Sequence, residues 1–362
     1  MKFLFLTLLV LHGFIHLMGF SKAFGLAEIK ELQLPISRMA GVFWALSFAG
    51  FILTSVLYFQ ERNFWWLAAF VSVAISQFLI FYTWQDAKYG SLANGIILLV
   101  ALSAMFAFLF EKSFKEDVIA IENKMATLCS EPIPLDKARI EKLPSEIQDY
   151  LLVSQSMDKP VPLSVHAFLE GKMRSKNSDW FDFTAEQYNF HPLSARLFFM
   201  KGKLRNIPFS GYHKYLDGKA SMDIRLLGIF PISKASGADM FQAETVTFFN
   251  ELCLFMPGAL ADENIRWDKG ENEGELTGYF ENENTRVSAR LFFNENGELV
   301  NFISEDRIEV NSNQKLPFLT PVTSYKNFNG LRLMSEGEAI WQYDDGPFAY
   351  GKIKLKKLET RY

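Results

Sequence analysis

The chain is poor in the residues that build disulfide or zinc sites. Cys129 and Cys253 are its two cysteines, and they form no CxxC pair. Two cysteines are too few for a disulfide framework, and a zinc knuckle needs a CxxC pair, so neither is predicted. Cys253 falls in a helical pattern, where we expect it to be a small apolar side chain with a free thiol.

Blocks of like charge and catalytic signature motifs are also missing. The net charge is −4, and no run of about five or six like charges occurs, which argues against a nucleic-acid partner. The chain has no phosphate-binding glycine loop, no dinucleotide-binding glycine fingerprint, no nucleophile elbow and no HExxH helix. No cofactor is therefore predicted.

Charged residues are absent from four long apolar runs in the first third of the chain. These runs are residues 3–20, 39–59, 64–84 and 92–110. Each is close to the about 20 residues with which a helix crosses the hydrocarbon core of a bilayer. Lipid offers the backbone no hydrogen-bond partners, so helices are expected. Because the connections are short, residues 1–110 are predicted to form a four-helix transmembrane bundle.

The first run could be mistaken for a signal peptide because Lys2 precedes it. The run is longer than a usual signal-peptide core, and Ser21-Lys22-Ala23 is a poor cleavage site, so we expect it to be retained as a membrane helix. Lys and Arg are shared almost equally between the two sides of the bundle and do not set its orientation. An even number of spans predicts that the N-terminus and the C-terminal domain lie on the same side.

Two histidines in the first run are weak candidates for a metal site. His12 and His16 are four residues apart and so project from one face of a helix. A metal, haem or proton site would recruit Gln77, Gln85 or Asp86, but two histidines alone are an incomplete ligand set for most metals. The preferred alternative is a pair of neutral imidazoles bonded to Ser or Gln side chains or to backbone carbonyls.

The remainder of the chain has ordinary polarity and is predicted to be soluble. Residues 111–144 have the pattern of an amphipathic helix followed by a linker, and the helix could lie on the membrane surface or dock on the following domain. Residues 145–362 form that domain. From Pro160 the apolar period changes to two, which predicts close to a dozen strands in hairpin order. Asp217-Gly218 is a typical tight hairpin turn, and residues 219–230 after it are predicted as one strand.

One helix, residues 237–255, interrupts these strands. Its apolar positions recur at helical spacing, namely Phe241, Thr245, Phe248, Leu252 and Phe255. A sheet of so many strands usually curls. The predicted fold class is therefore a membrane all-α four-helix bundle followed by a soluble α+β domain, in which a strongly curved antiparallel half-barrel surrounds a central helix.

Glu251 lies beside the apolar stripe of this helix. A carboxylate there needs a partner such as Arg225, Arg290 or Arg307, and it could form a structural ion pair or the polar end of a binding cavity. His213, Asp217, Asp223 and Arg225 lie close together around one hairpin, and Asp223 and Arg225 share one strand face. For this group a solvated outer surface is preferred over a head-group or acid–base site. The predicted ligand-binding residues are Phe248, Glu251, Leu252, Phe255, Arg225 and Arg307.

Several stretches resemble a family of uncharacterised bacterial membrane-associated proteins with a domain of unknown function. They are Arg205-Asn206-Ile207-Pro208-Phe209-Ser210-Gly211, Tyr215-Leu216-Asp217-Gly218, Met222-Asp223-Ile224-Arg225-Leu226-Leu227-Gly228, Met256-Pro257-Gly258-Ala259-Leu260, Ile265-Arg266-Trp267 and Gly337-Glu338-Ala339-Ile340-Trp341. The resemblance covers residues 145–362 and implies no established activity. It implies an architecture similar to lipoprotein-carrier half-barrels, whose curved sheet shelters acyl chains. It also implies a place in the bacterial inner membrane, with the soluble domain on the non-cytoplasmic side.

These features favour a membrane-anchored protein that binds a lipid or another apolar ligand in the half-barrel, with membrane lipids as its partners. The 36 phenylalanines support this expectation. One alternative is an enzyme acting on a membrane-derived substrate, which a carboxylate of perturbed pKa in a pocket would indicate. Another is a structural or sensory membrane protein with a protein-binding domain, which a large exposed apolar patch would indicate.

Overall fold

The computed structural model describes residues 2–129, 131–310 and 312–362. They divide into two compact units. Unit 1 comprises Met1–Phe110 with Leu227–Ile229, and unit 2 comprises Glu111–Leu226 with Phe230–Tyr362.

Unit 1 is built from long apolar helices. They are α1 Lys2–Ala23, α2 Arg38–Phe59, α3 Trp65–Tyr82, the short α4 Trp84–Ala87 and the first part of α5 Gly90–Leu128. Within the described residues, α1, α2, α3 and α5 are long and apolar enough to cross a membrane. This confirms the four predicted runs as helices. Where these helices pack together, Leu9, Phe51, Ala69 and Ile97 are fully buried.

Hydrogen bonds at the two ends of unit 1 tie its connections together. At one end Lys2 Nζ lies 2.5 Å from Glu61 Oε1, beside the connection from α2 to α3. At the other end the backbone N–H groups of Gln33 and Leu34 donate to Asp86 Oδ2 at 2.7 and 2.8 Å, joining the α1–α2 connection to α4. The helices therefore alternate in direction, as short connections require.

The fourth long helix does not end where its apolar run ends. Residues 96–128 contain neither Gly nor Pro, so nothing in the sequence stops α5, which runs unbroken from Gly90 to Leu128. The segment 111–128 of α5 belongs to unit 2. There the ring of Phe114 packs against Phe199 and Tyr212, with ring centroids 5.3 and 5.5 Å apart. The sequence left open whether this segment lies on the membrane surface or docks on the following domain. In the structure it docks on that domain.

Unit 2 continues with α6 Lys137–Ile140 and α7 Ser145–Val153, and then with strands and one long helix. The strands are β1 Ser164–Met173, β2 Phe181–Phe190, β3 Ala195–Leu204, β4 Ile207–Leu216, β5 Lys219–Leu226, β6 Phe230–Ser236, β7 Ile265–Lys269, β8 Glu275–Asn282, β9 Thr285–Phe293, β10 Leu299–Ser304, β11 Ile308–Glu309, β12 Gln314–Lys315, β13 Phe318–Leu319, β14 Val322–Phe328, β15 Leu331–Tyr343 and β16 Gly346–Arg361. The long helix is α8 Ala238–Phe255.

A single antiparallel sheet collects fourteen of the strands that the described residues form. Its order is β6-β5-β4-β3-β2-β1-β16-β15-β13-β10-β9-β8-β7, with β14 paired to β15. Neighbours in the sheet are mostly neighbours in sequence, as hairpin order predicts. β1 pairs with β16, so the first and last strands meet in the middle of the sheet.

Two hairpin turns show what the alternation pattern could and could not locate. Asp217 and Gly218 have φ of +50° and +69° and join β4 to β5, as their sequence predicts. The next turn was missed, because residues 219–230 were predicted as one strand. Leu227 and Gly228 take φ of +56° and +70° there and separate β5 from β6. Leucine rarely adopts positive φ, so its presence gave no turn signal.

Helix α8 lies against the concave face of the sheet. Gly237, with φ +95°, precedes it, and Pro257 follows its end. It contacts β4, β5 and β6 from one half of the sheet and β9, β10 and β15 from the other. From Ala243 to Phe255 each of its residues is buried. The predicted curved half-barrel around a central helix is confirmed.

Candidate functional site

A cavity of about 770 Å³ lies within unit 2, between the concave face of the sheet and α8. The helix contributes one face to its wall. The residues on that face are Met240, Ala243, Glu244, Thr247, Asn250, Glu251, Leu254 and Phe255. Their spacing of three and four residues is that of one helical face. Helix α8 therefore separates the cavity from a packed core on its other side.

The packed side of α8 carries the apolar stripe predicted from the sequence. The fully buried ring of Phe248 lies 5.7 Å from the Tyr215 ring and 5.8 Å from the Phe280 ring, measured between centroids. Leu252 is also fully buried within this core. Phe248 and Leu252 thus hold the helix in place and lie outside the cavity lining.

Arg196 forms the centre of a buried polar group at the cavity. It lies on β3, and its Nε is 2.7 Å from Glu251 Oε2 while its Nη1 is 3.0 Å from Glu244 Oε2. Its Nη2 donates to Gln187 Oε1 at 3.3 Å. One guanidinium thus joins two carboxylates of α8 to the sheet, and all four side chains are buried.

Two further side chains form hydrogen bonds with these carboxylates. Asn189 Nδ2 donates to Glu251 Oε2 at 2.8 Å. His213 lies on β4 and lines the cavity, and its Nδ1 is 2.9 Å from Glu244 Oε1. Because an ionised carboxylate only accepts, this ring nitrogen carries the proton in that bond.

The opposite charges of Arg196 and Glu244 hold each other in the ionised state. Burial alone would raise the pKa of Glu244, but the positive charge of Arg196, the hydrogen bond from His213 and the charge of Arg307 outweigh it and lower the pKa to about 2. Burial alone would lower the pKa of Arg196, and its two carboxylates raise it instead. Glu244 and Arg196 are therefore charged at neutral pH.

Glu251 was expected to pair with Arg225, Arg290 or Arg307, and this expectation was wrong. Its partner is Arg196, because the curl of the sheet brings β3 against α8. Arg225 bonds along its own strand, with Nε and Nη2 at 3.0 and 2.8 Å from Asp223 Oδ2, and it lies outside the cavity lining. Arg290 lies beside Glu275 instead, at 3.8 Å.

Arg307 lies elsewhere on the cavity wall. Its guanidinium carbon is 4.1 Å from the ring centroid of Phe318 and 4.9 Å from that of Trp341. Its Nη1 donates to the hydroxyl of Tyr350 at 2.9 Å. Of the six residues predicted to bind a ligand, the structure places Glu251, Phe255 and Arg307 at the cavity.

The polar residues missed by the sequence interpretation are Arg196, Glu244, Gln187 and Asn189. His213, for which a solvated outer surface was preferred, lines the cavity instead. Glu244 had a usable signal, because it precedes Glu251 by seven residues and so shares its helical face. Arg196 had none, since Ala195 and Leu197 on either side of it are buried as well and hide the alternation of β3.

Hydrogen bonds to side chains and to a backbone carbonyl hold the two histidines of α1, as in the alternative that was preferred over a metal site. His12 Nε2 lies 2.9 Å from Asn94 Oδ1. His16 Nδ1 lies 2.8 Å from the backbone carbonyl of His12, and its Nε2 lies 2.8 Å from Ser76 Oγ. Asn94 was not foreseen as a partner. Within the described part of the chain, no group of three or more His, Cys, Asp or Glu side chains is placed to hold a metal ion.

Comparisons with known proteins place the chain in a family. No curated relative matches it. Among solved structures it is similar to a "putative outer membrane lipoprotein-sorting protein domain" from Vibrio parahaemolyticus, with 8% identity and a TM-score of 0.37, over 55% of this chain and 85% of that one. The model of a family of unknown function matches residues 134–353, more than half of the chain. The resemblance found in the sequence is thereby confirmed, and the chain belongs to the family of unknown function DUF6544.

Proposed function

We propose that this is a membrane-anchored binding protein that holds a lipid or another apolar ligand inside the half-barrel of unit 2. The observation that carries the proposal is the cavity of about 770 Å³. Its volume falls within the roughly 300–1,000 Å³ of small-molecule sites, which are mainly apolar with a few placed polar groups. Most of its wall is apolar, with Leu169, Phe181, Phe198, Met200, Met222 and Trp341 as examples.

The cavity has a deep end and an accessible end. Leu254 and Phe255 on α8 are almost fully buried and form part of its floor. Ile232 on edge strand β6 and Val310 after β11 also line it, yet they are 48% and 37% exposed. An elongated apolar molecule could therefore enter past Ile232 and Val310 and bury its chain against α8.

The polar group around Arg196 supports binding over acid–base catalysis. A carboxylate that transfers protons near neutral pH needs a pKa close to that pH, commonly reached by raising it. The pKa of Glu244 is instead lowered to about 2 by its ion pair. Glu244 is therefore suited to fixing α8 and the polar end of the cavity.

We further propose that the protein resides in a bacterial inner membrane with unit 2 on the non-cytoplasmic side. The support is the four apolar helices of the described chain and the expectation drawn from the family resemblance. The ligand would then come from the lipids of the envelope, which are also the expected partners.

Photocrosslinking of a fatty acid analogue tests the binding proposal. The full chain would be reconstituted in phosphatidylcholine nanodiscs with a diazirine-bearing palmitate, irradiated, and mapped by peptide mass spectrometry. We expect adducts on the strands that line the cavity. Ala243→Phe, which places a ring in the cavity, should lower the yield, whereas Ala238→Phe at the exposed start of α8 should not. Equal yields in both variants, or adducts confined to α1–α5, would rule the proposal out.

A further inference from the structure

We infer that the ligand of this cavity is an anionic amphiphile whose carboxylate or phosphate group is bound by Arg307. The inference rests on the proposed binding function and names the chemistry of the ligand. It starts from two of the three arginines that line the cavity, Arg196 and Arg307, which differ in their protein partners.

Arg196 is already neutralised by protein carboxylates. Its Nε, Nη1 and Nη2 each have a protein partner, and two of these partners are carboxylates. Glu244 and Glu251 together supply the negative charge that a ligand would otherwise bring.

Arg307 presents the opposite arrangement. It makes no ion pair with any carboxylate of the described residues. Tyr350 occupies Nη1, while Nε is buried without a hydrogen-bond partner and Nη2 has none among the described residues. Nε and Nη2 form the edge of a guanidinium that binds a carboxylate or phosphate through two parallel hydrogen bonds. Buried donors without a partner are rare in folded proteins and call for an explanation, which a ligand anion provides.

The surroundings of Arg307 hold its guanidinium in position for such a bond. The rings of Phe318 and Trp341 lie against it, and Trp341 stacks on Tyr350 with centroids 5.9 Å apart. An arginine fixed on aromatic faces loses little conformational freedom when it binds an anion. The apolar wall also lowers the local dielectric, which strengthens the attraction.

The third arginine of the cavity lining, Arg174, adds positive charge near β16. Arg174 lines the cavity, and its backbone N–H donates to the carbonyl of Tyr350 at 2.9 Å. Its guanidinium stacks on Trp180 and Phe348 and makes no ion pair with a described carboxylate. The Arg174 guanidinium lies on Phe348 and donates from Nε to the carbonyl of Ala349, while Arg307 donates to the hydroxyl of Tyr350, so both arginines lie along the same stretch of β16. The anionic group is therefore expected beside Tyr350 and the acyl chain along the apolar wall.

Three probes with the same chain length test the effect of head-group charge alone. Diazirine-bearing palmitate, hexadecanol and a C16 lysophosphatidic acid would be added at equal mole fractions to nanodiscs that contain the full chain, and crosslinking would be titrated. We expect both anions to bind the wild type more tightly than the alcohol. The order of palmitate and lysophosphatidic acid identifies a fatty acid or a phosphate-bearing lipid as the source of the anion.

Arg307→Gln is the decisive variant. It should weaken binding of the anions roughly tenfold to a hundredfold, as the loss of a hydrogen bond between charged groups does, and leave the alcohol unchanged. Arg307→Lys keeps the charge but loses the fork, so an intermediate loss is expected. Arg266→Gln, at an exposed arginine on β7 outside the cavity, is the matched control and should bind like the wild type.

Failure of the proposed function and failure of the role given to Arg307 would give different results. If the wild type crosslinks none of the probes in the cavity, the proposed function itself fails. If it binds all three without preference for the anions, or if Arg307→Gln weakens the alcohol as much as the acids, the cavity binds lipid but the role given to Arg307 is overturned.

Discussion

Glu251 on α8 and Arg196 on β3 form a buried ion pair, with Glu251 Oε2 2.7 Å from Arg196 Nε. The two residues are far apart in sequence, and their contact fixes the central helix to the sheet at one end of the cavity. Glu244, seven residues earlier on the same face of α8, pairs with the same guanidinium. The cavity therefore owes its polar end to a three-charge group, whose members should respond unequally to substitution.

Removing one carboxylate should be tolerated better than removing the arginine. In Glu251→Gln, Arg196 keeps Glu244 and the volume is preserved, so we expect a loss of about 1–3 kcal/mol in unfolding free energy. Arg196→Met leaves two carboxylates buried without their cation and should cost about 3–5 kcal/mol or more. Denaturant unfolding of residues 111–362 measures both. An Arg196→Met loss no larger than that of Glu251→Gln would contradict the ion-pair account.

The stability of unit 2 should fall in acid because of Glu244. Its folded-state pKa of about 2 lies below the ordinary value of 4.5. A lowered folded-state pKa contributes stability that is complete above pH 4.5 and is lost as the pH falls from 4.5 toward 2. The difference corresponds to a contribution on the order of 3 kcal/mol. Unfolding free energies measured from about pH 6 to about pH 3 should show this decline.

Glu244→Gln supplies the control for the acid response. The variant has no carboxylate at this position, so it should be less stable than the wild type at neutral pH and should lose less stability on acidification. Asp262 should contribute to the decline that remains: burial alone would raise its pKa, but the hydrogen bond with His191 lowers it overall. Parallel pH curves for wild type and variant would show that Glu244 does not carry the effect.

Local patterns predicted most of the fold because most of its strands pair with the next strand along the chain. Apolar runs without charges located the four long helices, and strand alternation with turns such as Asp217-Gly218 located the hairpins. In a sheet whose strands mostly follow chain order, each strand needs only the next one along the chain. The strands that were misjudged are those in which a local signal was absent, as at Leu227.

The candidate site was less predictable because it depends on contacts across the curled sheet. The partner of Glu251 is decided by which part of β3 faces α8, and no spacing within either element contains that information. The apolar stripe of α8 correctly gave its packed side, with Phe248 and Leu252. Its cavity side is mixed, with Glu244 and Thr247, and such a face has the pattern of a solvent-exposed one. A cavity wall and a wet surface therefore look alike in sequence.

Phe248→Ala should destabilise unit 2 strongly. Its ring is fully buried against Tyr215 and Phe280, so truncation leaves a cavity in the packed core and should cost about 3–5 kcal/mol. The matched control is Phe230→Ala on edge strand β6, where the side chain is 57% exposed and the change should stay within about 0.5 kcal/mol. Denaturant midpoints compare the two. Similar losses would mean that Phe248 is not a core residue.

The two termini should be found on the same side of the membrane. Four spans separate them, and the connections of unit 1 alternate between its two ends. Epitope tags placed before Lys2 and after Tyr362 should both be accessible to protease in intact spheroplasts if unit 2 is non-cytoplasmic. A tag inserted at Gly25, between α1 and α2, is the internal control and should be protected. Accessibility of only one terminal tag would mean that one of the four helices does not span.

The segment 111–128 should be required for a stable soluble fragment. Phe114 is fully buried against Phe199 and Tyr212 of the sheet. Asp117 adds bonds of 2.7 Å to the hydroxyl of Tyr212 and to Lys214 Nζ. A fragment that begins at residue 145, the boundary predicted from the sequence, would expose this apolar patch to water and should aggregate or unfold at lower temperature.

A fragment of residues 111–362 should instead remain monomeric and unfold cooperatively. Within it, Phe114→Ala should cost about 3–5 kcal/mol, because a buried ring is lost from a packed surface. Phe114→Leu, which keeps most of the apolar volume, should cost clearly less. Size-exclusion chromatography and thermal unfolding distinguish the fragments. If residues 145–362 proved as stable and monomeric as residues 111–362, the docked end of α5 would be dispensable, and its contacts with β3 and β4 would have no structural role.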